Sequence, residues 1–121
     1  MTETLRNDAM DARIQSLEPL LDYKGTLGYA AAYNKRKLVQ EATEYLIRKD
    51  ELIKKYGTQQ GESYSISPSM DTWKDFEAEL LPLAQIEHEV DLMQVDVSEA
   101  QELTGRQMID NWWMFKEESD A

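Results

Sequence analysis

The residues of this sequence that could do acid–base or metal chemistry are a single histidine and the carboxylates around it. His88 lies between Glu87 and Glu89, and four more acids are near in sequence: Glu77, Glu79, Asp91 and Asp96. Paired carboxylates catalyse glycoside hydrolysis and hold pairs of metal ions, but both uses need an enclosing cleft. On a strand, Glu87 and Glu89 would point away from His88. We therefore expect a structural, partly buried histidine and a solvated acidic face; a metal ligand, a general base and a pH-sensitive contact are the alternatives for His88.

The composition excludes most other catalytic chemistry. The 121 residues contain no cysteine, which rules out disulfides, thiolate zinc sites and cysteine nucleophiles. One histidine is too few for a multi-histidine metal site, and the spacing of the glycines matches no phosphate-binding loop. We expect a protein that is not an enzyme and that uses no cofactor or metal.

Charge is distributed unevenly along the chain. The net charge of -11 opposes direct binding to nucleic acid and to anionic membranes. Residues 1–56 hold ten basic and nine acidic side chains, whereas residues 57–121 hold three basic and fifteen acidic ones. Either a mixed-charge helix packs against an acidic, solvated remainder, or the basic stretch of one copy binds the acidic half of another copy or of a different protein.

A basic cluster and a tryptophan pair are the candidates for partner binding. Lys35, Arg36 and Lys37 are consecutive, and such a cluster can bind an acidic protein or a nucleotide phosphate. Trp112 and Trp113 are adjacent, so on a helix they would point about 100° apart and could not both enter a narrow core seam. Either a wide apolar face accommodates both, or one of them anchors a partner, as exposed tryptophan often does at binding hot spots.

The element that must position the basic cluster is a long helix, predicted over residues 26–56. Ala31, Leu38, Tyr45 and Leu52 recur every seven residues, no proline interrupts the segment, and Gly57 supplies its stop. Its length of roughly 45 Å at 1.5 Å per residue exceeds what a compact domain needs, so part of it must project or pack against something else. A shorter helix is predicted over residues 8–21, with Pro19 near its end.

The second half of the sequence predicts shorter secondary-structure elements. Residues 57–70 form a flexible loop with a short extended stretch at 63–67, and a helix follows from Ser69 or Asp71 to about Pro82. Residues 86–92 alternate in hydropathy and predict a strand, with a bend near Met93 and Gln94 and with residues 64–67 as its partner. Thr104 caps a terminal helix that runs to Phe115, and residues 117–121 form a polar tail. The predicted fold is one helix-rich domain over 1–121, mainly α with a small two-stranded β element.

In pattern and order the chain resembles small uncharacterised proteins of tailed phages and prophages. The likeness covers nearly the whole chain and is most specific in YNKRK at 33–37, IKKYG at 53–57 and LTG at 103–105. It implies a phage or prophage origin and a helix-rich fold, and it brings no activity and no catalytic residues.

Three functions follow as hypotheses. The favoured one is a non-enzymatic phage interaction or assembly module that forms homo-oligomers or binds another protein. The second is an acidic inhibitor that mimics nucleic acid toward a host defence or nucleic-acid enzyme. The third is a nucleotide-binding anti-defence protein or small enzyme that uses Arg36, Lys37 and Arg48. The first residues carry acids where a secretory signal needs a basic start and an apolar run, so we expect a protein of the host-cell cytoplasm.

Overall fold

The long helix predicted from the sequence organises the fold. The computed structural model describes residues 1–117, and its longest element is the helix α2 (Gly25–Tyr56). At about 1.5 Å per residue its 32 residues span about 48 Å. Its first residue, Gly25, has a φ of 71°, which glycine adopts without strain, so the chain can turn sharply into the helix. The predicted fold class, mainly α with small two-stranded sheets, is confirmed.

The first helix is shorter than the sequence predicts. Helix α1 spans Asn7–Leu17, and a 3₁₀ turn over Glu18–Leu20 replaces the end of the helix expected over 8–21. Pro19 lies in that turn and has no backbone N–H with which to continue the α-helical hydrogen bonds.

Two helices pack along α2 and account for its length. Helix α1 runs antiparallel to it, because Asp11 pairs with Lys49 at 2.7 Å while Glu18, farther along the chain, pairs with Lys35 at 2.9 Å. Helix α3 (Trp73–Ala84) packs against the carboxyl-terminal part of α2. Pro82 lies inside α3, which ends two residues later than predicted.

The hydrophobic core lies where α1 and the first half of α2 meet the strands. Three alanines of α2 are fully buried, at positions 30, 31 and 42, and small side chains there let the two helices approach closely. The largest apolar side chains with at most 1% exposure come from the whole length of the chain: Met10, Leu17, Leu20, Leu38, Leu92 and Met114.

The predicted strand is confirmed, but its predicted partner is wrong. Strand β4 (Glu87–Asp91) pairs antiparallel with an N-terminal strand, β1 (Thr2–Arg6), which places Leu5 opposite His88. The expected partner at 64–67 overlaps β3 (Ser63–Ser65), which forms a hairpin with β2 (Thr58–Gln60) inside the predicted loop 57–70. Only one residue of β1 is a large apolar one, so alternation in hydropathy did not reveal this strand.

The carboxyl-terminal segment also departs from the prediction. Helix α4 (Gly105–Asp110) is only six residues long, and a 3₁₀ turn over Trp112–Met114 follows it. Phe115 belongs to β6 (Phe115–Lys116), which pairs in parallel with β5 (Val95–Asp96) beyond the predicted bend at Met93 and Gln94. The helix expected to run to Phe115 therefore ends early, because this pairing requires extended backbone. Of the polar tail predicted over 117–121, only residue 117 lies within the described residues.

Candidate functional site

The two adjacent tryptophans lie in different environments. Trp113 is half-buried against the core, and the guanidinium carbon of Arg13 lies 4.4 Å from the centroid of its ring. Trp112 is 59% exposed. The two side chains were predicted to diverge on an α-helix, but both residues lie on a 3₁₀ turn. The core therefore uses Trp113 and leaves Trp112 at the surface.

A second large apolar side chain near Trp112 in sequence is also exposed. Ile109 is 77% exposed and lies three residues earlier, in the last turn of α4, while Trp112 lies on the 3₁₀ turn that follows. We call these two exposed side chains together the Trp112–Ile109 surface. Exposed tryptophan is frequent at binding hot spots.

Asn111 fixes this segment to α1. Asn111 is fully buried, and its Nδ2 donates to the carbonyl oxygens of Ser16 and Gln107 at 3.0 Å each. Its Oδ1 accepts from Ser16 Oγ at 3.0 Å. All of the hydrogen-bonding positions of the amide except one acceptor are thus used, one donor within α4 and the other two positions with Ser16 of α1. The Trp112–Ile109 surface therefore lies on a segment held in place by a buried polar network.

The amino-terminal end of α4 is fixed equally well. Thr104 Oγ1 accepts from Gln107 N, and Gln107 Oε1 accepts from Thr104 N, each at 3.1 Å, which is a capping box. The hydroxyl of Tyr23 donates to the same Gln107 Oε1 at 3.1 Å. The predicted cap at Thr104 is therefore correct. The role of Asn111 was not predicted from the sequence, although this asparagine directly precedes the two tryptophans of a predicted helix.

The basic cluster does not form one surface. Lys35 pairs with Glu18 at 2.9 Å, and Lys37 lies 5.6 Å from the centroid of the Tyr33 ring. Arg36 is exposed and forms no salt bridge within residues 1–117. Consecutive helical residues point about 100° apart, which spreads the three charges around α2. Arg48 lies eleven residues beyond Lys37, or about 16 Å along the helix, so the three basic residues of the nucleotide hypothesis do not converge.

Most positive charge on α2 is neutralised within the chain. Five of its seven basic side chains form salt bridges with acids of the same chain: Lys35, Arg48, Lys49, Lys54 and Lys55. The Lys55 partner is Glu79 of α3, at 3.3 Å, and the hydroxyl of Tyr56 also donates to Glu79. Of the five acidic partners only Glu79 lies beyond residue 56, so the positive charge of α2 is neutralised mainly by acids of residues 1–56.

The acidic strand presents its carboxylates to solvent. Glu87, Glu89 and Asp91 are all exposed on one face of β4, whereas His88 is half-buried on the other face, 3.7 Å from the carboxylate of Glu41. Within residues 1–117 no three His, Asp or Glu side chains are grouped so that they could hold a metal ion.

None of the helices in the same part of the chain has the length and apolar character needed to cross a membrane.

Comparison with known proteins assigns no relative to this arrangement. No protein-family model matches the chain, and no curated protein or solved structure gives a significant match to it.

Proposed function

We propose that this chain is a non-enzymatic interaction or assembly module of phage or prophage origin that forms homo-oligomers in the host-cell cytoplasm. The observation that supports it best is the exposure of Trp112, and of Ile109 three residues earlier, on a segment that Asn111 holds in place. A large aromatic side chain on a rigid segment gains apolar contact on binding and loses little conformational freedom. The phage origin is supported by the resemblance in sequence pattern.

The charge around this surface favours a second copy of the chain as the partner. Residues 103–121 carry Arg106 and Lys116 against Asp110, Glu117, Glu118 and Asp120, a net charge of -2. Residues 57–102 carry one basic and eleven acidic side chains, a net charge of -10. Two molecules of net charge -11 therefore repel each other less at the terminal segment than at residues 57–102. A two-fold axis through the Trp112–Ile109 surface would pair the same side chains from both copies, as most dimers do.

The test is sedimentation at low and high salt, with the wild type, Trp112→Ala and Ile47→Ala compared. Ile47 is 46% exposed on α2, so it controls for the loss of an exposed apolar side chain elsewhere. We expect a wild-type dimer that persists in high salt, since salt does not screen apolar contact. We expect Trp112→Ala to weaken it by tenfold or more, as a hot-spot residue does, and Ile47→Ala to leave it unchanged. A monomer at all concentrations, or equal effects of the two variants, would contradict the proposal.

One observation supports acidic mimicry as a second candidate. Glu87, Glu89 and Asp91 form an exposed row on β4, with neighbouring members about 7 Å apart at two residues per step. Such a row could occupy the phosphate sites of a host defence or nucleic-acid enzyme. Binding of that kind would weaken steeply with salt and compete with DNA, whereas a salt-insensitive interaction would remove this candidate.

A further inference from the structure

The sheet of β1 and β4 has only two strands, and the hydrogen bonds between them show which backbone groups are left over. Met1 and Leu92 exchange two backbone hydrogen bonds, at 2.9 Å and 2.7 Å. Hydrogen-bonded and non-hydrogen-bonded pairs alternate along an antiparallel ladder, so Thr4 and Glu89 form a non-hydrogen-bonded pair. The backbone N–H and C=O of Glu89 therefore point away from β1.

The outer edge of β4 is a row of such groups. Glu87, Glu89 and Asp91 occupy equivalent positions of the ladder, and all three residues are exposed. Within residues 1–117 no other strand pairs with this edge, and no other group forms a hydrogen bond with the backbone N–H or C=O of these three residues. An exposed edge with unpaired backbone groups is a template for a further strand.

Open space lies between β4 and α2 at both ends of the strand. A cleft of about 620 Å³ is lined by Ile86 and His88 together with Glu41 of α2, and one of about 300 Å³ is lined by Asp91 together with Tyr29 of α2. Ile86 is 48% exposed and Tyr29 is 65% exposed. Side chains of a strand alternate between the two faces of a sheet, so every second side chain of an added strand would meet apolar groups on the side of α2.

The other face of β4 selects the charge of an added strand. Glu87 and Glu89 form no salt bridge within residues 1–117, and Asp91 pairs with the ammonium group of Met1 at 3.3 Å. The remaining side chains of an added strand would lie directly beside these carboxylates. Opposite charges in such cross-strand pairs stabilise a sheet, and like charges destabilise it.

A second copy of the chain fits this edge poorly. Its β4 would place the same carboxylates opposite one another, which is destabilising. Its β1 would bring the neutral Thr2 and Thr4, and Arg6, which already pairs with Asp8 at 2.8 Å. The charge of the edge therefore favours a basic segment of a different protein.

We propose that the outer edge of β4 binds an extended segment of another protein as an antiparallel third strand, with lysine or arginine at every second position. The backbone of that segment pairs with the free N–H and C=O groups of Glu87, Glu89 and Asp91, and its basic side chains lie beside their carboxylates. The side chains between them are apolar and face α2. This function goes beyond self-association, since the edge shares no residue with the Trp112–Ile109 surface.

The first test is calorimetric titration of the full chain with capped peptides of one length. KVKTKVK carries lysine at every second position, and EVETEVE replaces the lysines with glutamates. We expect the lysine peptide to bind and the glutamate peptide not to bind. In the antiparallel arrangement the N–H groups of the lysines donate to β4, so N-methylation of the lysines should weaken binding by about tenfold or more. N-methylation of the intervening residues, whose N–H groups point away from β4, should leave binding nearly unchanged.

The second test reverses one charge of the edge. Glu89→Lys should weaken binding of KVKTKVK by about tenfold and allow EVETEVE to bind, because the cross-strand pair changes sign. Glu62→Lys makes the same change in net charge at the exposed turn between β2 and β3 and should alter neither. Trp112→Ala should leave peptide binding intact, which separates this proposal from self-association. Equal effects of Glu89→Lys and Glu62→Lys, or of the two methylation patterns, would reduce the interaction to general charge attraction and overturn the proposal.

Amide resonances locate the bound peptide. We expect KVKTKVK to shift the amide resonances of Glu87, Glu89 and Asp91 and to slow their exchange with solvent, while those of Thr2 and Thr4 on the outer edge of β1 stay in place. Changes confined to Thr2 and Thr4, or no change at either edge, would overturn the proposal. A shift of the Glu89 amide when the chain alone is concentrated would show that a second copy occupies the edge, which also contradicts it.

Discussion

The side-chain amide of Asn34 forms two hydrogen bonds with the backbone of Met93. Met93 N donates to Asn34 Oδ1 at 2.7 Å, and Asn34 Nδ2 donates to the carbonyl oxygen of Met93 at 2.9 Å. Asn34 is fully buried in α2, so its amide takes the place of a strand partner at the bend between β4 and β5. This contact joins the long helix to the sheet residues that precede the tryptophan segment.

Replacement of Asn34 by leucine should destabilise the fold. Asn34→Leu leaves the N–H and C=O of Met93 buried without partners, and we expect a loss of about 3 kcal/mol in the free energy of unfolding, at about 1–3 kcal/mol per orphaned group. Urea denaturation measures it. Gln40→Leu is the matched control at an exposed position of the same helix. Equal stability of the two variants would show that the amide contact contributes nothing.

Alanine substitutions of the two adjacent tryptophans should differ in their effect on stability. Trp113→Ala removes core contact and the Arg13 stacking, and we expect it to lower the free energy of unfolding by about 2–3 kcal/mol. Trp112→Ala removes an exposed side chain and should change stability by no more than about 0.5 kcal/mol. Thermal and urea unfolding of both variants test this. The reverse ranking would contradict the assignment of Trp112 to the surface.

Gly28 should not tolerate a side chain. A Cβ at this position of α2 would lie 1.8 Å from the carbonyl oxygen of Tyr23, so the backbone of the preceding turn must move. We expect Gly28→Ala to destabilise by about 2 kcal/mol or more, as overpacking does. Gly105→Ala is the control, because nothing lies within 4 Å of a Cβ there. Similar unfolding midpoints for the two variants would count against the close approach.

Tyr45 should make the fold sensitive to alkaline pH. Burial of its hydroxyl raises the pKa of Tyr45 above its ordinary 10.0, and the carboxylates of Asp11 and Asp8 act in the same direction. Since the folded pKa is raised, the stabilisation is complete below pH 10.0 and is lost as pH rises through the folded pKa. We expect wild-type stability to fall more steeply above pH 10.0 than that of Tyr45→Phe, measured by urea denaturation across pH. Parallel pH profiles would contradict this.

The sequence predicted the elements that carry a strong periodic signal. The heptad spacing of Ala31, Leu38 and Tyr45 located α2, and all three residues are buried against the other elements. The alternation in hydropathy over residues 86–92 located β4. The exposure of one tryptophan was only one of two alternatives from the sequence, and the segment proved to be a 3₁₀ turn.

Features that depend on contacts between distant segments were not predictable in this way. The pairing of β1 with β4 joins residues about 85 apart in sequence, and the apolar content of β1 is too low to show a pattern. The early end of α4 depends on the pairing of β6 with β5, which no local spacing reveals. A cleft lined by Asn7, Tyr45, Leu83 and His88 arises from the packing of α1, α2, α3 and β4.

The most direct test of the central claim, that Trp112 anchors a second copy, is to follow the indole N–H resonances of the three tryptophans through a dilution series in high salt. We predict that the Trp112 resonance shifts with concentration while those of Trp73 and Trp113 stay in place, because only Trp112 moves between solvent and an interface. Resonances that are all independent of concentration, or a shift confined to Trp73, would contradict the account.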